Sequence, residues 1–162
     1  MASDGASAIQ LVDEALIEAT LAKARSSPRL RANHNFHPTH AEGFHRFLNA
    51  LVRGTYVAPH RHVTPPKAEA FLALRGELAC FVFDDSGRVT DRIVLGRDGR
   101  LGVDFAAGVW HSIAALTPEV VAYEAKPGPW DPATDKEFAP WAPPEGDARA
   151  AAYLAVLLEG LA

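Results

Sequence analysis

Between Thr55 and Lys126 the sequence breaks into short apolar runs, and that punctuation limits the fold more than any other feature. The runs are Thr55 to Ala58, Ala70 to Leu74, Leu78 to Phe83, Arg88 to Leu95, Leu101 to Phe105, Ser112 to Leu116 and Val120 to Ala125. Turn-forming stretches separate them: Arg75-Gly76, Asp84-Asp85-Ser86-Gly87, Asp98-Gly99, Ala107-Gly108 and Thr117-Pro118. Parallel neighbours would need crossover helices, for which these gaps leave no room. The expectation is therefore an all-β antiparallel sandwich or barrel.

Histidines sit in this β region in a pattern that carries chemistry. His60 and His62 are two residues apart, so in extended backbone they share a face while Arg61 points away. Tyr56 and Ala58 fall on the same parity, which makes Tyr56 a candidate proton donor beside the imidazoles, with a packed core tyrosine as the favoured alternative. Glu69 follows shortly, and Gly108-Val109-Trp110-His111 supplies a third imidazole from a later strand. Three imidazoles and one carboxylate converging inside β-structure suit one divalent transition metal: iron, manganese, nickel, cobalt or catalytic zinc. A structural zinc site would instead favour thiolates, and Cys80 is the sole cysteine of the chain. Within Leu78 to Phe83, Cys80 reads as a buried, inert thiol.

Composition narrows the partners. The 162 residues fit one domain, and 48% apolar with 22% charged residues is ordinary for a globular chain. A net charge of −4 argues against nucleic acid or an anionic membrane surface as partner. No apolar stretch approaches ~20 residues, and the start lacks a basic leader, so a cytoplasmic protein is expected.

The flanks read differently from the centre. Ile9 to Arg25 has the period of an amphipathic helix with Ile9, Val12, Leu16 and Ala19 on one face, ended by Ser26-Ser27-Pro28. Thr39-His40-Ala41-Glu42 has the form of a capping box, and Phe44, Phe47, Leu48 and Leu51 behind it recur at helical spacing. Arg29, Arg31 and Asn33 are candidate donors to an anionic or sugar-like ligand at a barrel mouth, with surface ion pairs as the competing use. His34, His37, His40 and His45 form a second histidine cluster that reads as solvated or hydrogen-bonded rather than metal-binding. Beyond Pro127, the Pro/Trp-rich stretch to Glu145 is too apolar for a linker and is expected as a strap over the barrel. Its Trp130 and Trp141, like Trp110, read as packing residues, with stacking on a sugar ring as the competing use. Asp147 is placed to cap a last helix, whose Tyr153, Leu154, Leu157, Leu158 and Leu161 make an apolar stripe. That stripe motivates a homodimer, unless it docks on its own barrel. The organisation expected is a helical and irregular flank over 1–53, a barrel over 54–126, and strap plus helix over 127–162.

The run from Gly54 through His60-Arg61-His62 and Glu69 to Gly76 resembles the first cupin motif, and Gly108 with His111 resembles the core of the second. The spacing from His62 to Glu69 is longer than is usual in cupins, and Ala106 and Ala115 stand where proline and asparagine are common. Arg31 with Asn33, Gly128-Pro129 and Phe138-Ala139-Pro140-Trp141-Ala142-Pro143 look like the WbuC-like cupin metalloproteins, named after a protein of bacterial O-antigen gene clusters. The resemblance implies a single cupin, a double-stranded β-helix or jelly-roll barrel with flanking helices, holding a metal through His60, His62, Glu69 and His111. It leaves two functions open. One is a metal-dependent enzyme, with isomerase, epimerase and oxygenase chemistry undivided, acting on a small anionic or sugar-like molecule. The other is a non-catalytic metal-dependent binder or sensor.

Overall fold

The short apolar runs become two five-stranded antiparallel sheets in the computed structural model, which describes residues 8–161. Numbered in chain order, β1 (Arg31–Asn35), β2 (Phe44–Val52), β9 (Glu119–Pro127), β4 (Glu69–Arg75) and β7 (Gly102–Phe105) lie side by side in one sheet. The other sheet runs β10 (Glu137–Phe138), β3 (His60–Arg61), β8 (Trp110–Ala115), β5 (Leu78–Phe83) and β6 (Val89–Leu95). Helices α1 (Glu14–Ser26) and α2 (Ala150–Leu158) flank them. This is the all-β, jelly-roll-like barrel expected, with flanking helices.

Alternating side chains build three layers of core. Between the sheets, Leu51, Phe71, Leu78, Cys80, Phe105, Ile113, Val120 and Ala122 pack into one cluster. Residues of opposite parity on the same strands face outward and are covered in turn. Leu48, Ala50 and Val121 lie under Ile17, Leu21 and Ala24 of α1. Ala79, Phe81, Phe83, Trp110 and Ala114 lie under the strap residue Ala139 and under Ala150, Leu154 and Leu157 of α2. Both sheets are thus buried on both faces in part, which explains their near-continuous apolar runs. Cys80 is fully buried and its thiol is pushed up to about 12 by desolvation, consistent with an inert packing role.

The double burial also explains where helical spacing misled. Phe44 to Val52, expected as a helix behind a capping box, is strand β2, paired along its length with β9. Phe47 and Asn49 point into the barrel while Leu48 and Ala50 point at α1. Apolar residues on both faces of one strand mimicked a helical stripe. The first helix ends where expected but begins at Glu14 rather than Ile9, and its buried face is Ile17, Thr20, Leu21 and Ala24. Ile9 and Val12 precede it and are 76% and 43% exposed. Asp13 is its N-cap, accepting from the Leu16 N–H at 2.9 Å.

Thr55 to Ala58 also departs from expectation, carrying no strand ladder; β3 begins only at His60. The carbonyls here are taken by side chains. Tyr56 O accepts from the Arg31 guanidinium at 3.0 Å, Val57 O from Ser112 Oγ at 2.6 Å, and Ala58 O from His60 Nδ1 at 2.9 Å. At the far end of β4, Gly76 adopts φ 72°, and a Cβ there would collide with the Glu119 carbonyl. The α2 stripe docks on its own barrel, with Leu154 and Leu157 at 7% and 3% exposure, so it no longer argues for a dimer. Asp147 sits just ahead of α2 and accepts from the Arg149 N–H at 2.8 Å, while the helix's own N-cap, Arg149, makes no side-chain capping bond. No helix among the described residues is long and apolar enough to cross a membrane.

Candidate metal centre

The antiparallel register of β3 and β8 sets His60 directly opposite His111. His62 continues on the same parity, and Glu69 opens β4 in the facing sheet. The four side chains are buried, at 2–3% exposure, and each offers a ligand atom within 4.8 Å of the others. Among the described residues they are the group of this kind.

Hydrogen bonds assign the histidine tautomers. A carbonyl can only accept, so each ring nitrogen facing one must donate. His60 Nδ1 donates to Ala58 O at 2.9 Å and His111 Nδ1 to Val109 O at 2.9 Å, while His62 Nδ1 donates to Asp135 O. All three rings therefore turn an Nε2 lone pair inward, the arrangement in which a backbone carbonyl orients a metal-ligating imidazole. His62 Nε2 is buried with no hydrogen-bond partner, which leaves its lone pair free to bind a metal ion. His111 Nε2 meets Glu69 Oε2 at 2.8 Å, so a proton or a metal ion must lie between these two acceptors. The donor set fits a first-row divalent metal with positions left for a ligand.

Electrostatics keep those ligands in binding form. Burial, together with nearby Lys136 and His111, holds His60 well below its ordinary value, hence neutral. Burial alone would push Glu69 up, but Lys126 at 3.2 Å, with the neighbouring His111 and His62 rings, holds it well below the usual carboxylate range. Glu124 goes the other way: burial and the charge of Glu69 push it well up, so it stays protonated. Asn49 Nδ2 donates to Glu124 Oε2 at 2.8 Å. Burial would lift Asp135 too, yet Lys126 and Lys67 keep it low, with Lys67 Nζ 2.8 Å away. Lys67 Nζ also donates to Pro129 O at 2.6 Å, tying the strap to the barrel.

A cavity of about 440 Å³ opens above the cluster, and Arg29, Arg31 and Asn33 line it as expected. Arg31 is largely committed, since it grips Glu145 at 2.6 Å besides Tyr56 O. Tyr56 does not reach the metal ligands. It packs with Tyr153 under α2, and its hydroxyl donates to Pro143 O at 2.8 Å. The reason is the missing strand: without a ladder from Thr55, parity does not carry back from His60 to Tyr56. His37 and His45 line the cavity stacked at 4.1 Å, with His37 Nδ1 against Arg46 O and His45 Nε2 against His40 O. Trp110 and Trp141 pack as expected, whereas Trp130 is 40% exposed and borders the cavity.

Sequence reasoning missed Asn49, Lys67, Glu124, Lys126, Asp135 and Lys136. A signal existed for two of them. Along β9 the inward row reads Val120, Ala122, Glu124, Lys126, changing from apolar to ionic as the strand leaves the packed end for the mouth. The strap residues carried none, because only the fold lays 127–145 across the ligands.

A family model described as a domain of unknown function (DUF6016) matches residues 12–95, more than half of the chain. No curated protein matches the sequence. Among solved structures, the capsular polysaccharide assembling protein CapF from Staphylococcus aureus is similar with TM-score 0.57 and 23% identity, over 69% of this chain and 30% of its own. This chain thus spans less than a third of that protein. TT1209 from Thermus thermophilus matches with TM-score 0.54 and 18% identity, over 74% of this chain and 97% of its own. An oxalate decarboxylase variant from B. subtilis matches with TM-score 0.50 and 18% identity, over 67% and 27%. These likenesses establish the fold.

Proposed function

We propose that this chain, which belongs to the family described as domain of unknown function (DUF6016), is a mononuclear metal-binding cupin that takes a small anionic or sugar-like molecule at an open coordination position. The observation that carries the reading is the three inward Nε2 lone pairs, each fixed by a backbone carbonyl, beside the low-lying Glu69 carboxylate. A bound divalent ion would supply Lewis acidity to an oxygen of the ligand.

Charge favours an anion. In the buried network Glu69 and Asp135 are offset by Lys126 and Lys67, while Glu124 is held protonated. The two positive charges of the metal are then largely uncompensated by the protein. An enzyme is preferred to a passive binder or sensor because Glu124 lines the cavity with a proton on its carboxyl, next to the ligand Glu69. A place in bacterial surface-polysaccharide metabolism is supported by the resemblance to WbuC-like cupins and by the name of the CapF structure.

The test is metal analysis of untagged protein. One divalent transition metal per chain is expected, lost in His62→Ala; full occupancy surviving that change would refute the ligand set. Occupancy should also fall as pH drops through the histidine range, where protons compete for the imidazoles.

A further inference from the structure

The cavity over the metal cluster shares a wall with a second cavity of about 590 Å³ that runs along the strap. Arg29, Trp130, Asp135 and Lys136 line both. Three of these have engagements elsewhere. Arg29 lies 3.4 Å from Glu145, Asp135 is bound to Lys67 at 2.8 Å, and the Trp130 ring is tilted against the His40 ring with centroids 4.9 Å apart. Lys136 is different. Among the described residues it has no carboxylate at ion-pair distance and no hydrogen-bond acceptor. Its amine nonetheless stands close enough to the cluster to act on His60. Burial and the charge of Lys126 disfavour the charged form of this amine, so with no acceptor of its own at the junction of two cavities it gains from an anionic group brought from outside the chain.

We propose that Lys136 receives the anionic group of the ligand, a sugar phosphate or sugar acid whose other end lies at the metal cluster and whose ring rests against Trp130. The inference rests on the metal-binding reading above and adds to it the ligand's orientation and class. Trp130 is 40% exposed and offers a flat apolar face between the two cavities, which suits a pyranose. Phe138, 57% exposed, borders the second cavity and extends that apolar floor. Neither inorganic phosphate alone nor a neutral sugar alone would use both features.

The experiment is calorimetric titration of zinc-loaded, untagged full chain with glucose 6-phosphate, gluconate, inorganic phosphate and glucose, metal content being measured on the same samples. Wild type should bind at least one of glucose 6-phosphate and gluconate more tightly than glucose, and the two arms separate phosphate from carboxylate. Lys136→Met should weaken that ligand by about tenfold or more, the loss of a charge-assisted contact. Lys136→Arg should retain most of the affinity and serves as the folding control. Trp130→Ala should weaken the sugar-bearing probe and leave inorganic phosphate unchanged. Equal binding by Lys136→Met and wild type, or no preference for any anionic probe over glucose, overturns the proposal. Loss of anion binding in Lys136→Met from a protein that takes up no metal would uphold Lys136 and remove the metal reading instead.

Discussion

Lys126→Met removes one ammonium from the centre of the buried network and keeps most of the side-chain stem. Lys126 Nζ lies 3.2 Å from Glu69 Oε1, 3.5 Å from Asp135 Oδ2 and 3.7 Å from Glu124 Oε1, and the side chain is 7% exposed. At an effective dielectric of about 20, a unit pair near 4 Å interacts by about 4 kcal/mol, against which desolvation of both ions must be set. Removing one partner leaves that desolvation uncompensated, so the loss should be about 3–5 kcal/mol in the metal-free protein. A divalent ion at the neighbouring cluster restores positive charge beside Glu69. The metal-loaded variant should therefore lose less, and its metal affinity should rise. Urea denaturation of metal-free and metal-loaded protein, wild type and variant, measures all four stabilities. A metal-free variant within about 1 kcal/mol of wild type, or an equal loss with and without metal, would refute the account of Lys126 as the counter-charge of this site.

The pH dependence of metal-free stability should carry the mark of Glu124. Its folded value lies well above the ordinary one, so the stability it contributes is complete below about pH 4.3, where the unfolded carboxyl is also protonated, and is lost as pH rises toward the folded value. Glu124→Gln removes that loss, so the variant should gain on wild type as pH rises above that point in denaturation experiments; an unchanged difference would refute the raised value of Glu124. Tyr56→Phe deletes the hydroxyl that donates to Pro143 O and should cost about 1 kcal/mol of stability while leaving metal content at the wild-type level, read by denaturation and metal analysis.

Much of this protein is legible along its chain because the relevant signals are local. Alternation and glycine turns determine strands β4 to β9, and Gly76 marks a backbone position that a side chain could not occupy. The cluster of His60, His62, Glu69 and His111 is legible for the same reason: the pair shares one parity, the glutamate begins β4 and the later histidine stands near the start of β8. Three things were decided by tertiary structure. Strand β2 hid its period because α1 covers its outer face, so burial on two sides erased the alternation that identifies a strand. Tyr56 was lost from the site because side chains of Arg31, Ser112 and His60 take the carbonyls that a strand ladder would have used, and parity holds only along a ladder. The charged network comes from segments far apart in sequence, with Lys67, Glu124, Lys126 and Asp135 held together only where the strap crosses the mouth. A buried charge is tolerable only beside its partner, and which residues become partners is a property of the closed barrel, not of any one stretch of chain.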